Sequence, residues 1–300
     1  MKIIDSHSHV FNVLAGFGAK GELRSSGAGK AMWADGTEID MIPEGYGEDN
    51  FSIESLLSIM DANDVEKAVL LQGGFYGFQN QYVVKAIKEH PTRFTGAFTF
   101  DPFCKNADSI AKKYLDDENF KIVKFELSTG AGLMSYREKF EIDNDRMIHF
   151  YDMIASHGAT LVLDIGSPGM ESFQVEAVKR IATKYKEMNI VICHLLAPTL
   201  NDEEDLKRAL TTLKLDNVYF DLSAIPWNVY PEQYPYVTGQ KYYSLAKEIV
   251  GNKKLLWGSD APSPLTRDTY EHLWDYLKNV CSDDELQEIM YSNSQKVYFS

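Results

Sequence analysis

Short apolar segments alternate along the whole chain with longer segments in which apolar residues recur at helical spacing. Eight short segments are of strand length and nearly uninterrupted in Val, Ile, Leu and Phe: 2–5, 65–72, 93–100, 121–127, 159–165, 189–195, 217–223 and 254–259. Such runs are typical of parallel strands that are covered on both faces. Helix boundaries are marked as well, because Gly158 and Gly251 follow helical segments and Ser282 with Glu285 has the pattern of a capping box.

Eight strands that each precede a helix predict an α/β fold, a (β/α)8 TIM barrel forming a single domain over residues 1–300. A doubly wound open sheet has the same order of elements and stays open as an alternative. Three connections between a strand and the next helix are too long for turns, at 10–51, 128–145 and 224–243. All three would lie on the rim where barrels carry active sites. We expect the segment at about 10–51 to be a lid-like insertion.

Composition narrows the class of partner. The chain has 30 Lys and Arg against 44 Asp and Glu, a net charge of −14, which argues against nucleic-acid binding. No uncharged apolar run approaches the roughly 20 residues of a membrane helix, and the N-terminus lacks the apolar core of a secretory signal. Three widely spaced cysteines favour a reducing compartment. These features predict a cytoplasmic protein with a small-molecule partner, and they are compatible with a homodimer.

Titratable residues stand at the carboxyl ends of several predicted strands. His7 and His9 are two residues apart on the first strand, so both imidazoles would face the same side and supply half of a metal site; a structural or surface role for the two histidines is the alternative. Asp164, His194 and Asp260 end the fifth, sixth and eighth strands. Because buried charged groups are rare unless they are paired or bind a ligand, this set on one rim indicates a functional site. The alternatives are a core histidine at His194 and a helix cap or turn at Asp164 and Asp260.

The sequence resembles a known family over essentially its whole length. The similar segments are IIDSHSHVF at the N-terminus, MDANDVEKAVL (60–70), YVVKAIKEHPTRFTGAFTFDP (82–102), KLLWGSDAP (254–262) and NSQKVYF (293–299). They resemble the amidohydrolase-related family, the branch of the amidohydrolase superfamily with decarboxylases such as aminocarboxymuconate semialdehyde decarboxylase and with lactonases. The resemblance implies a (β/α)8 barrel and a site built on His7, His9, His194 and Asp260.

One residue departs from the family pattern. Many members have His at the end of strand five, where this chain has Asp164, and a carboxylate there would favour a harder ion. We expect one divalent metal ion, Zn²⁺ or Mn²⁺, held by His7, His9, Asp164 and Asp260, while a metal-free site stays open. Lys124 matches a position where similar members have Lys without a bridge between two metals, so the resemblance implies at most one ion.

The resulting hypothesis is a metal-dependent hydrolase of a small cyclic or carboxylate-bearing compound, a lactone or an amide. Asp260 would act as the general base toward a metal-activated water, and His194 would polarise the substrate carbonyl. The alternatives are a non-oxidative decarboxylase of an aromatic or muconate-like acid and a barrel that binds a small carboxylate without turnover. Candidate substrate-binding residues are Lys124, Glu126, Arg24, Arg137, Trp33 and Trp227. An interior ion pair of Lys124 with Glu126, solvated surface arginines and tryptophans that only pack the loops are the competing interpretations.

Overall fold

The computed structural model describes residues 1–299 and contains twelve strands and eleven α-helices. The strands are β1 (Ile3–Ser8), β2 (Ala15–Gly18), β3 (Gly21–Gly27), β4 (Lys30–Trp33), β5 (Glu38–Asp40), β6 (Val65–Leu70), β7 (Phe94–Gly96), β8 (Ile122–Glu126), β9 (Thr160–Asp164), β10 (Ile190–Ile192), β11 (Val218–Asp221) and β12 (Leu255–Leu256). The helices are α1 (Ile53–Ala62), α2 (Asn80–Glu89), α3 (Ala107–Lys112), α4 (Asp145–Ser156), α5 (Val175–Lys184), α6 (Glu203–Thr212), α7 (Ile225–Asn228), α8 (Val237–Val250), α9 (His272–Asp275), α10 (Asp283–Gln287) and α11 (Asn293–Tyr298). Within residues 1–299, every helix is too short or too polar to cross a bilayer.

Eight of these strands are parallel neighbours in a cyclic order. One group runs β1-β6-β7 and the other runs β8-β9-β10-β11-β12. Backbone hydrogen bonds connect the groups at both junctions: Lys124 N donates to Phe98 O (3.0 Å), and Ser6 N donates to Trp257 O (3.0 Å). The predicted (β/α)8 barrel is therefore confirmed, and the open sheet is not formed.

The uninterrupted apolar runs follow from burial on both faces of each strand. In β9, Leu161 and Leu163 belong to the large apolar cluster shared with the surrounding helices, whereas Val162 belongs to a second cluster. That second cluster takes residues from most barrel strands, including Val191 of β10 and Tyr219 of β11, as expected for the interior of a barrel. Neither face of these strands needs polar residues until the strand ends, and this explains why the strand-end charges stand out in the sequence.

The predicted helix boundaries also agree with the structure. Gly158 and Gly251 have φ of 60° and 85°, a backbone conformation that glycine adopts at low cost. At the start of α10, Ser282 and Glu285 form the expected capping box, each side chain accepting a hydrogen bond from the other residue's backbone N–H.

The segment at 10–51 is more regular than the sequence indicated. It contains the antiparallel sheet β2-β3-β4-β5, and its strand Ala15–Gly18 bonds along the loop that follows β6: Phe17 N donates to Gly74 O at 2.8 Å. Residues 224–243, expected to form a long connection, contain α7 and the first half of α8. Whether the insertion acts as a lid stays a prediction.

Candidate active site

Four strand-end side chains meet in one buried group. His9 Nε2 lies 3.0 Å from Asp260 Oδ1, and His7 Nε2 lies 3.5 Å from the same oxygen. The ring centroids of His7 and His194 are 4.8 Å apart. A cavity of about 110 Å³ opens beside them, lined by His9, Gly73, Phe75, Tyr76, Lys124, Glu126, Asp164, His194, Trp227, Asp260 and Ser263. We call it the inner cavity.

A buried carboxylate behind His7 fixes the orientation of that imidazole. Asp221 ends β11 and places Oδ2 3.0 Å from His7 Nδ1, while Oδ1 accepts hydrogen bonds from His194 N (2.9 Å) and Ser223 N (3.1 Å). On the other side of the ring, the Lys124 ammonium donates to His7 Nε2 at 3.3 Å. The proton of His7 therefore resides on Nδ1, and the Nε2 lone pair faces Lys124 and Asp260, which line the cavity.

Asp221 was not among the residues predicted from the sequence, although a signal was present. It lies near the end of the predicted strand 217–223, in the segment NVYFDLS, as Asp164 lies near the end of the predicted strand 159–165. Carboxylates that bind the second nitrogen of a metal-ligating histidine orient the ring and raise its basicity.

A second buried carboxylate joins β1 to the segment after β12. Asp5 accepts hydrogen bonds from Ser259 N (2.9 Å), Ser259 Oγ (2.6 Å) and Tyr270 OH (2.8 Å). Burial raises the pKa of Asp5 to about 6, although these donors act in the opposite direction. Next to this junction, a Cβ on Gly258 would lie 2.6 Å from His7 Cβ, so only glycine permits the close approach.

Two of the converging residues have unusual backbone conformations. His194 and Asp260 have φ of 58° and 59°, in the left-handed region that costs a non-glycine residue roughly 1–3 kcal/mol. Residues 194–197 all have positive φ. Such conformations cluster at functional sites, because the surrounding structure holds a side chain where a relaxed backbone would not place it.

The donor set suits a divalent ion. The ligand atoms of His7, His9 and Asp260 lie within 4.8 Å of one another, and this group is buried or nearly so. In a tetrahedral site with bonds of about 2.1 Å, neighbouring ligand atoms are about 3.4 Å apart, close to the two distances to Asp260. Three protein ligands with one open position is the arrangement of catalytic zinc sites. A second group within the described residues combines His7, Cys193 and His194.

Asp164 stands apart from the group of His7, His9 and Asp260. Its Oδ2 lies 3.8 Å from His194 Nε2, and its Oδ1 accepts a hydrogen bond from Gly166 N at 2.8 Å. Asp164 therefore combines the expected turn with a position beside His194. Its oxygens are not part of the donor set of His7, His9 and Asp260, but its side chain lines the inner cavity.

The electrostatics separate the two histidines of the donor set from His194. Burial lowers the pKa of His9 to about 3, and burial together with the Lys124 ammonium lowers the pKa of His7, so both are neutral, as ligands must be. Burial acts to lower the pKa of His194 as well, but the carboxylates of Asp260 and Asp164 outweigh it and raise that pKa. His194 is thus the imidazole suited to donate a proton or a hydrogen bond.

The two acids Asp260 and Glu126 have pKa values shifted in opposite directions. Burial acts to raise the pKa of Asp260, yet the hydrogen bond with His9 and the nearby imidazoles hold it below its usual range. Burial raises the pKa of Glu126 to about 7. Lys124 and Glu126 both line the cavity, but Lys124 directs its ammonium to His7, and Glu126 accepts a hydrogen bond from Phe75 N at 3.3 Å.

Comparison with protein families gives a match to the amidohydrolase family over residues 4–299. The chain belongs to the amidohydrolase family. It is accordingly an enzyme of that superfamily. A comparison with curated proteins finds no match.

Solved structures similar to this amidohydrolase include hydrolases and decarboxylases. A probable 2-pyrone-4,6-dicarboxylic acid hydrolase from Acinetobacter baumannii, with citric acid bound, is 19% identical over 100% of both chains with a TM-score of 0.71. An amidohydrolase from Burkholderia multivorans with bound zinc is 14% identical over 100% of this chain and 99% of that chain, with a TM-score of 0.73. The 5-carboxyvanillate decarboxylase from Sphingomonas paucimobilis is 12% identical over 81% and 82%, with a TM-score of 0.56. At these identities the likeness establishes the fold.

Three of the expected substrate-binding residues of this amidohydrolase lie outside the inner cavity. Arg24 is exposed and donates to the backbone oxygens of residues 16 and 23. Arg137 forms an ion pair with Asp101, and Trp33 is buried in the apolar core, where its ring contacts Phe75. The other three line the cavity: Trp227, Lys124 and Glu126.

Proposed function

We propose that this amidohydrolase is a metal-dependent hydrolase of a small lactone or related cyclic carbonyl compound that carries a carboxylate. The observation that carries the proposal is the buried convergence of His7, His9 and Asp260 beside His194, in a cavity where the two ligand imidazoles are neutral and His194 has a raised pKa. Neutral nitrogen donors and a separate proton donor are the two components that hydrolysis of a carbonyl compound requires.

His7, His9 and Asp260 would hold a single divalent ion, Zn²⁺ or Mn²⁺. When bound, such an ion acts as a Lewis acid and lowers the pKa of a bound water to about 7. Asp221 serves this function indirectly, because its hydrogen bond to His7 Nδ1 keeps the Nε2 lone pair directed at the cavity.

The proton transfers are assigned to Asp260 and His194, whose pKa values are shifted in opposite directions. Asp260 is ionised at neutral pH, so its carboxylate can accept the proton of the attacking water and pass it to the leaving oxygen. His194, held by Ser223 Oγ at 2.8 Å from Nδ1, would donate a hydrogen bond to the carbonyl oxygen as negative charge develops there. The carboxylate of Asp164, 3.8 Å from His194 Nε2, favours the protonated imidazole.

A bound ion would make the site suited to a substrate with a carboxylate. Lys124 and His194 place two cationic groups in a cavity that the acids Glu126, Asp164 and Asp260 also line, so the charge of a divalent ion would shift the balance toward binding an anion. Two similar structures are in line with such a ligand: one is a probable hydrolase of a pyrone dicarboxylic acid that holds citric acid, and another holds zinc. The decarboxylase aligns with 81% of this chain, whereas the hydrolase aligns with all of it.

A panel of lactones tests the proposal, with 2-pyrone-4,6-dicarboxylate and simple lactones assayed in the presence of Zn²⁺ or Mn²⁺. We expect turnover that falls by about 10²–10⁴-fold in His194→Asn and in Asp260→Asn. His149→Asn is the matched control, since His149 is an exposed histidine paired with Asp108. Release of CO₂ from aromatic or muconate-like acids without any lactone turnover would favour the decarboxylase instead.

A further inference from the structure

The inner cavity is small beside the cavities that adjoin it. Its volume of about 110 Å³ is below the roughly 300–1,000 Å³ of typical ligand pockets. A second cavity of about 320 Å³ shares Asp164, His194 and Asp260 with it, and a third of about 540 Å³ lies beyond Trp227. We call the third the outer cavity. Trp227 borders all three, so a molecule whose reacting group occupies the inner cavity has space to extend past this indole.

Arg267 lines the outer cavity and lies against two aromatic rings. The Arg267 guanidinium lies 3.5 Å from the centroid of the Trp227 ring and 4.6 Å from that of Tyr230. Within residues 1–299, no carboxylate approaches Arg267 closely enough to form an ion pair, and its side chain makes no hydrogen bond. Its five N–H donors are therefore available, while stacking on the two rings fixes the guanidinium plane.

The two acids that line the outer cavity with this arginine have other hydrogen-bond partners. Asp268 accepts hydrogen bonds from Tyr236 OH and from His272 Nδ1. Glu232 receives the backbone N–H of Thr238 on both of its oxygens, at 3.0 and 3.2 Å. Both acids line the outer cavity with Arg267, yet neither is directed at it. A stacked, preorganised guanidinium with unused donors is suited to bind a planar carboxylate in a bidentate manner.

We propose that Arg267, stacked on Trp227 and Tyr230, forms an outer carboxylate subsite that binds the far end of an elongated, doubly acidic substrate. The position of Arg267 in the chain supports this, since it follows Asp260 by seven residues in the same connection after β12. The inference rests on the proposed function only in assigning the reacting end to the inner cavity. It adds the substrate class, a compound with two acidic ends separated by more than the inner cavity can enclose.

Binding of simple acids tests the subsite without any turnover. The probes are the α,ω-dicarboxylates from succinate to sebacate and the monocarboxylates of the same chain lengths, measured by calorimetry on the purified enzyme. We expect at least one dicarboxylate to bind about tenfold more tightly than the monocarboxylate of the same length. This is the low end of the gain expected from a hydrogen bond to a charged group, because Arg267 is exposed and solvent weakens the interaction. Arg267→Gln should abolish that preference and leave monocarboxylate binding unchanged.

Two further variants make the result decisive. Arg208→Gln removes one exposed arginine from α6 and should retain the dicarboxylate preference. Arg267→Lys keeps the charge but lacks the planar fork, so the preference should fall severalfold; it also serves if the glutamine variant does not fold. If no chain length shows a preference for the dicarboxylate, or if the preference persists in Arg267→Gln, the proposed subsite is wrong. Because these acids are not hydrolysed, that result would leave the proposed lactone hydrolysis to its own test.

Discussion

Replacing Asp221 by Asn tests how the protein keeps His7 ready to bind a metal. Asp221 Oδ2 accepts a hydrogen bond from His7 Nδ1 at 3.0 Å, and both side chains are fully buried. An amide has nearly the same shape, and it can keep the two backbone donors on its oxygen. Its NH₂ group would then face the Nδ1–H of His7, so two donors would meet in a site without water. The imidazole can relieve this conflict by moving its proton to Nε2, which removes the lone pair from the cavity.

The expected magnitude follows from that change of tautomer. Loss of an outer-shell partner of a metal-ligating histidine costs about 10–100-fold in metal affinity, equivalent to about 1.4–2.7 kcal/mol. The upper part of this range applies here, because burial leaves no solvent to replace the lost acceptor. We therefore expect the dissociation constant for Zn²⁺ to rise by about 30–100-fold in Asp221→Asn.

Competition against a chelator of known affinity measures this constant for the wild type and the variant. Asp116→Asn is a matched control, because Asp116 Oδ1 lies 2.7 Å from Nε2 of His157 at the protein surface, so the same change to a carboxylate–histidine pair occurs away from the site. Circular dichroism of the metal-free proteins separates misfolding from loss of affinity. Zn²⁺ affinity within twofold of the wild type in Asp221→Asn would refute the reasoning.

Three other substitutions test contacts in the structure, two of them beside the site and one at the protein surface. Gly258→Ala would force a Cβ to within 2.6 Å of His7 Cβ, and it should cost about 1–3 kcal/mol of stability together with metal affinity. Tyr270→Phe removes a donor from the buried Asp5 carboxylate and should lower the free energy of unfolding in urea by about 1–3 kcal/mol. The loss of stability in His157→Gln should depend on pH, because hydrogen bonds to Met153 O and Asp116 raise the pKa of His157. The protonated imidazole at the end of α4 contributes about 0.3–1 kcal/mol. This contribution is present below about pH 6.5 and disappears as the pH rises through the raised pKa.

Each of these expectations has a contrary result. Gly130→Ala is the control for the first, since a Cβ there meets nothing closer than 4.0 Å, and equal stability of the two alanine variants would contradict the close approach at Gly258. The control for Tyr270→Phe is Tyr234→Phe, which removes a hydroxyl that donates a hydrogen bond to Asp275 near the surface and should leave the free energy of unfolding nearly unchanged. An equal loss of stability in the two variants would argue against a special role for Asp5. A loss in His157→Gln that grows with pH would have the wrong sign.

The barrel was predictable from the sequence because its strands are buried on both faces. Continuous apolar runs such as NIVICHL stand out against the helical segments, and the rim residues His7, His9, His194 and Asp260 follow from where those runs end. The sheet in the segment at 10–51 was not predictable in the same way. Its strands are only three to seven residues long. Two of the four residues of β2 are glycines, and β3 begins and ends with glycine, so the alternation of buried and exposed positions is too short to predict a strand.

The charged residues of the loops show a different limit of sequence reasoning. Arg137 and Arg267 both lie in connections at the same rim, and nothing in their local sequences distinguishes them. The structure pairs Arg137 with Asp101 and stacks Arg267 on Trp227, so tertiary partners determine which arginine remains available. Asp221, in contrast, could have been found, since it ends a predicted strand as Asp164 and Asp260 do.

Elemental analysis of the enzyme purified without added metal or chelator decides whether His7, His9 and Asp260 form a site for one divalent ion. We expect about one Zn²⁺ or Mn²⁺ per chain in the wild type and a loss of that ion in His7→Ala, with the fold of the metal-free variant retained by circular dichroism. If neither protein contains a metal and the wild type takes up none on titration with Zn²⁺ or Mn²⁺, the ligand assignment is wrong.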